Sequence, residues 1–179
     1  MEFELQPTLR GDLLELRPLH PDDYDELFAV ASDPLIWEQH PESDRHAPEK
    51  FRRYFDGAMQ SRGAFAVVDL RTGLLVGSTR FHGHDAEAST IEIGWTFLAR
   101  SHWGGPHNRE MKRLMLSHAF RFVDRVVFLI GPRNIRSQRA VEKIGGARAG
   151  SRTIDGSESF LFEITSLSVD RDWLDGARG

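Results

Sequence analysis

The stretch Ser101-His102-Trp103-Gly104-Gly105-Pro106-His107-Asn108-Arg109-Glu110-Met111-Lys112 sets two glycines and a proline immediately before a helical pattern. A helix begins with about four unpaired backbone N–H groups and the positive end of its dipole, and glycines ahead of it let an anion approach the main chain. The chemistry this suits is phosphate binding, although the same residues also turn a chain and start a helix in many folds. Glu92 is a second candidate. In Thr90 to Leu98 the residues Ile91, Ile93, Trp95 and Phe97 alternate with Glu92, Gly94 and Thr96, which predicts a carboxylate mid-strand on the face opposite the apolar one. Asn134 is a third, standing where it caps the helix that follows a short apolar strand.

The elements that must hold these residues read off in order. Leu13 to Leu19 is strand-like, and Pro21-Asp22-Asp23 opens an amphipathic helix through Val30, closed by Ser32-Asp33-Pro34. Trp37 to Ala47 is polar and irregular, as loops at binding mouths are. Pro48 starts a helix that buries Phe51, Tyr54, Phe55, Ala58 and Met59 and ends at Arg62-Gly63. Ala64 to Leu70 and Leu74 to Phe81 form a hairpin, with a further turn over Gly83 to Ala88. After the Glu92 strand, a helix over Asn108 to Val123 carries Met111, Leu114, Met115, Ala119 and Phe122 on one side. Val126 to Ile130 is wholly apolar, which predicts a strand buried on both faces. A helix from Asn134 to Ile144 stops at Gly145-Gly146, and Ala147 to Ile154 and Ser159 to Thr165 close the chain as a hairpin about Asp155-Gly156. Asp175 to Gly179 reads as a frayed end.

Composition narrows the function classes. The 179 residues, 40% hydrophobic and 28% charged, predict one globular domain spanning 1–179. At this length roughly 70% of the unfolded chain's surface can be buried, enough for a core without metal or disulfide staples. With no cysteine, disulfides, thiolate zinc sites and cysteine nucleophiles are excluded, which suits a cytoplasmic location. A net charge of -4 gives no positive field for nucleic acid and mildly favours cationic amines as ligands. No basic-then-apolar leader or long apolar run is seen, so no membrane role is expected. His82, His84, His102 and His107 show neither the spacing nor the carboxylate companions of a metal site, and no metal is expected.

The order of strand, glycine turn, helix, short strand, Asn-capped helix and glycine resembles the GNAT superfamily of acyl-CoA N-acetyltransferases, most closely its RimJ and RimL branch. Leu14 to Pro18, Ala66 to Gly77, Ile91 to Trp95, Trp103 to Gly105 and Asn134 to Gly145 fall in that family's order, and the likeness covers about residues 10 to 165. The resemblance implies an α+β, three-layer fold: a mixed, twisted sheet with helices on both faces, whose fourth and fifth strands, here Thr90 to Leu98 and Val126 to Ile130, splay apart. It implies acetyl-CoA as co-substrate, its pantetheine arm in the gap against main-chain groups of Thr96, Phe97 and Leu98. The family's pyrophosphate loop maps onto Gly104, Gly105, His107, Asn108 and Arg109. Asn134 matches the asparagine that reaches the pantetheine, a role compatible with an N-cap, and Arg139 is placed where a cation meets a CoA phosphate or a solvated helix face.

The implied function is N-acetylation of a primary amine, on a small molecule or a protein N-terminus, with a homodimer as a further expectation. The alternative is an acyl-CoA-binding sensor or inactive relative. Glu92 matches the position of a general base in several members, with Asp155 in the closing hairpin as fallback. A main-chain N–H near Thr96 or Phe97 would face the oxyanion. Val141 stands where many members have a proton-donating tyrosine, and Ser137, three residues after Asn134, inherits that role from RimL-type relatives. Pro106 replaces a third glycine and removes one N–H from the cradle. Trp37, Trp95 and Trp103 either line an acceptor pocket or serve packing, and Phe160 and Phe162 are candidates for a dimer interface.

Overall fold

The computed structural model describes residues 2–176. Its strands are β1 (Leu9–Arg10), β2 (Leu14–Pro18), β3 (Ala64–Asp69), β4 (Leu75–Asp85), β5 (Thr90–Leu98), β6 (Arg125–Ile130), β7 (Ala147–Ile154) and β8 (Ser157–Thr165). They form one mixed sheet in the order β1-β2-β3-β4-β5-β6-β8-β7, in which only β5 and β6 run parallel. The helices are α1 (Tyr24–Ala31), α2 (Pro48–Ser61), α3 (His107–Ala119), α4 (Ile135–Glu142) and α5 (Arg171–Leu174). No helix among the described residues is long and apolar enough to cross a membrane.

Each face of the sheet buries its own core, which makes the three layers. On one side Met111, Met115, Leu116 and Ala119 of α3 pack against Leu14, Leu16, Ile91, Ile93 and Val126. On the other, Phe51, Tyr54, Phe55 and Ala58 of α2 join Leu27 of α1 against Ala64, Ala66 and Phe97. The α2 stripe follows the helical repeat, Pro48 starts the helix, and Arg62 ends it with a left-handed φ of 52°. Glu110 ties α3 to the sheet: its carboxylate accepts the N–H groups of Asp12 (2.9 Å), Leu13 (2.9 Å) and Leu14 (2.8 Å). A Cβ on Gly11 would stand 2.5 Å from that carboxyl carbon, so a side chain there would displace the carboxylate from these amides.

Several boundaries differ from expectation. β1 and α5 are too short to leave a periodic signal, β4 runs on to Asp85 through the expected Gly83 turn, and α3 stops at Ala119 with Val123 reaching the core from a following turn. The closing strand starts at Ser157 because Asp155 (φ 49°) and Gly156 (φ 79°) make a two-residue turn. Phe162 is a core residue, 1% exposed, so it is not free for an interface. Asp175 caps α5, while the last three positions of the expected frayed end lie outside the described residues.

Two features of β5 position the site. It pairs with β6 only over Thr90 to Glu92, opposite Arg125 to Val127, and beyond that point the strands part. Leu129 is half-buried along the gap, and Val127 just before it is half-buried too, where a strand covered on both faces was expected. In addition, Ser78 pairs with Phe97 but Arg80 with Gly94, so Thr79 alone opposes Trp95 and Thr96, and Trp95 has a left-handed φ of 51°. This is a β-bulge. It reverses the alternation expected for the strand: Ile91 and Ile93 face the α3 core, whereas Phe97 packs in the α1–α2 core and Trp95 against it. The Tyr54 hydroxyl donates to the Trp95 carbonyl at 2.6 Å and holds the bulge in place.

Candidate active site

Where β5 and β6 part, a cleft of about 690 Å³ opens. Glu92 and residues 93–98 of β5 form one wall, Phe128 to Gly131 another, and Asn134, Ser137 and Val141 of the α4 segment close the far side. Ile154, Asp155, Ser157 and Ser159 of the β7–β8 hairpin reach its rim.

The glycine loop flanks the same cleft through Trp103, Gly104 and Asn108. Gly104 has φ 69°, a left-handed turn that favours glycine, whereas Gly105 has none. A Cβ on Gly105 would meet only His107 Nδ1, at 3.8 Å, so the chain itself does not require glycine there. The loop is braced from across the cleft: Trp103 Nε1 donates to the Leu98 carbonyl at 3.0 Å, and the Arg136 guanidinium stacks 3.8 Å from the Trp103 ring. Asn134 caps α4, its Oδ1 accepting the Ser137 N–H at 3.3 Å.

Of the residues singled out in the sequence, Glu92, Thr96, Phe97, Leu98, Gly104, Asn108, Asn134 and Ser137 line the cleft together. Gly105, His107, Arg109 and Arg139 are not among its lining residues. Arg109 turns toward the Trp173 ring, 5.6 Å from its centre, and Arg139 is exposed. Trp37, Trp95 and Trp103 all line the cleft and also pack in or against the core, which bears out their packing role.

Glu92 and Lys112 are among the ionisable groups of the cleft displaced from their ordinary state. Burial pushes the Glu92 carboxyl up to about 7, against the opposing pull of Arg152 and Arg80. Its Oε1 lies over Gly94, 3.1 Å from where a Cβ would stand, so the missing side chain makes room for it. Burial lowers the Lys112 ammonium to about 7; its Nζ donates to Thr96 Oγ1 at 3.0 Å and sits 5.6 Å from the Phe128 ring centre. In the unfolded chain Lys112 holds its proton up to its ordinary value of 10.5. Between about pH 7 and 10.5 the unfolded state therefore binds more protons, and this group makes stability rise with pH across that window. Lys112→Met is expected to be more stable than the parent at pH 7 and below, with the gap closing toward pH 10.5; urea unfolding at several pH values measures it.

A family model described as acetyltransferase (GNAT) domain matches residues 14–147, well over half of the chain. The chain belongs to the GNAT acetyltransferase family. Its fold is similar to a GCN5-related N-acetyltransferase from Brucella melitensis, with TM-score 0.78 and 22% identity, covering 91% of this chain and 80% of that one. It is similar to a GNAT-family acetyltransferase from Bacillus anthracis, with TM-score 0.71, 22% identity and coverage of 89% and 98%. RimJ of Mycobacterium smegmatis, in complex with CoA-disulfide, matches with TM-score 0.71, 20% identity and coverage of 94% and 90%. No curated protein matches the chain.

Sequence reasoning missed other polar residues in and beside this GNAT cleft. Lys112 reads as part of a polar helix face, and only the folded chain brings Thr96 against it. Arg45 and Arg80 are 7% and 5% exposed, although a polar loop and a strand next to a turn gave no sign of burial. The histidines also need correction. His102 does have a carboxylate companion, for its Nε2 lies 2.8 Å from Asp69 Oδ2, and Asp69, His102 and His107 together offer ligand atoms within 4.8 Å of one another. Asp69 lies 33 residues from His102, beyond any local spacing rule.

Proposed function

We propose that this GNAT protein is an acetyl-CoA-dependent N-acetyltransferase acting on a primary amine by direct attack on the thioester. The observation that carries the reading is Glu92, a carboxylate brought to about 7 in the cleft where β5 and β6 part. Amines arrive mostly protonated, since α-amino groups titrate near about 8 and lysines near about 10.4. A base that titrates near neutrality both exists ionised and can accept that proton. The amine nitrogen then bonds to the acetyl carbonyl carbon, the carbon–sulfur bond breaks, and the leaving thiolate takes a proton. Main-chain N–H groups at Thr96 or Phe97 receive the transient oxyanion. Ser137, in the cleft beside Val141, is the proton or hydrogen-bond donor to sulfur, since Val141 has none to give.

The site fits acetyl-CoA as donor. The unpaired edge of β5 from Ile93 to Leu98 offers main-chain groups to the pantetheine arm, and Asn134 stands beside it. The diphosphate falls to Gly104, Gly105 and the amides of His107, Asn108 and Arg109 at the start of α3, with Pro106 contributing no N–H. Arg139, exposed on α4, is left for an outer phosphate of CoA. That the RimJ neighbour was solved in complex with CoA-disulfide supports a CoA compound as the ligand of this fold. Because Gly105 is uncrowded and unstrained, Gly105→Ala should keep the parent's melting temperature while raising the KM for acetyl-CoA by about tenfold.

The test is release of free CoA from acetyl-CoA with a panel of small amines and peptide N-termini. Amine-dependent release with an N-acetyl product supports the reading. Tight acetyl-CoA binding without any acceptor-dependent release favours a donor-binding protein that does not turn over.

A further inference from the structure

Beside the cleft lies a second cavity of about 210 Å³, and Glu42, Arg45 and Trp95 belong to the walls of both. Its back wall holds Arg80, 5% exposed, and Tyr54. Arg80 Nε is buried and has no hydrogen-bond partner among the described residues, and no carboxylate lies within ion-pair distance of its guanidinium there. The planar group is held by rings instead, 4.5 Å from the Trp95 ring centre and 5.7 Å from that of Tyr54. Arg45 enters from the loop before α2, between Trp37 (5.2 Å) and Tyr54 (5.0 Å), with rim residue Glu42 as its ion-pair partner. Two buried guanidinium groups in one cavity repel each other, and an unpaired donor is costly to bury. Such an arrangement suits an anion that arrives with a ligand.

Its place relative to Glu92 fixes the chemistry further. Arg80 pairs across the strands with Gly94, and the Glu92 carboxyl lies over Gly94. The cation and the carboxylate are thus offered from the same face of neighbouring strands. Resting on the proposed acetyl transfer, we propose that the acceptor is an amino-acid-sized molecule whose carboxylate is received by Arg80 and Arg45 while its amine lies at Glu92. The chain's overall negative charge would favour cationic amines, but the charge at this cavity has the opposite sign.

The experiment compares each standard α-amino acid with its own carboxamide as acceptor at fixed acetyl-CoA. The expected result is a kcat/KM at least about 100-fold higher for one or more acids than for the matching amide. Arg80→Met should collapse that ratio toward unity through KM for the acid, while the KM for acetyl-CoA stays at the parent value. Arg80→Lys should retain part of it, and Arg45→Gln gives the same reading if Arg80→Met does not fold. If Arg80 serves only as counterion to Glu92, the variant shifts the pH profile equally for acids and amides, and the proposal fails. Carboxamides used as well as acids would overturn it while leaving N-acetyl transfer intact. Should no amine be acetylated, melting curves with the N-acetylated amino acids and their amides still decide: stabilisation confined to the acids supports the anion site, and equal or no stabilisation removes it.

Discussion

Glu92→Gln is expected to lower kcat/KM for the amine by about 10²- to 10⁴-fold, the range a positioned general base contributes. Glutamine keeps the shape over Gly94 and the fit in the cleft but accepts no proton at neutral pH. The rate of the parent should rise with pH through the Glu92 ionisation near 7, and that limb should vanish in the variant. Stability moves the other way. Raised from 4.5 to about 7, the folded carboxyl holds a proton that the unfolded chain has lost, so between those values stability falls as pH rises, and the cost is complete above pH 7. The glutamine variant should therefore be more stable than the parent at pH 8, by an amount on the order of 3 kcal/mol at most, and equal to it below pH 4.5. A variant that loses neither rate nor the pH limb would remove Glu92 as the base.

The second large effect concerns folding alone. Glu110 stands inside the glycine-loop motif, yet its carboxylate points away from the cleft and closes the N–H groups at the start of β2, with Arg113 3.7 Å from it. Replacing it with alanine strands these three donors, one of them fully buried. A loss of about 3 kcal/mol or more is expected, because bonds to a charged acceptor are the strong ones and unmet donors add their own cost. For a chain of this size that corresponds to a melting temperature lower by about 6 to 12 °C. Urea unfolding of Glu110→Ala measures it, and a change below about 1 kcal/mol would mean that water replaces the carboxylate.

The strands other than β1, in their succession along the chain, were legible in the sequence because each carries a period or an apolar run and each turn its own residues, whereas their pairing order was not. Asp155-Gly156 marks the closing hairpin, Pro48 and Arg62-Gly63 bound α2, and Gly104 to Pro106 mark the start of α3. Part of the cleft wall was legible too, since Gly104, Asn108, Asn134 and Ser137 lie in two short segments that the family likeness marks. The bulge at Trp95 was not. A period of two has no signal for one extra residue, and what stabilises the left-handed Trp95 is the hydroxyl of Tyr54, 41 residues away. Lys112, Arg45 and Arg80 were missed because burial of a charged side chain depends on distant partners: Thr96 for one, the rings of Trp37, Tyr54 and Trp95 for the others.

The parting of β5 and β6 leaves an unfinished ladder in the middle of the sheet, bounded on one side by β4 and on the other by β8. Amides that line such a wedge exchange with solvent as though they sat on an outer edge, although they belong to central strands. On the proposed donor mode, a bound thioester arm would act as the missing rung. In deuterium-exchange measurements, donor binding should slow those amides between Ile93 and Leu98 that face the gap rather than β4, and leave those of the paired segment at Thr90 to Glu92 as they were, so that one ligand seals the two half-sheets into a single unit.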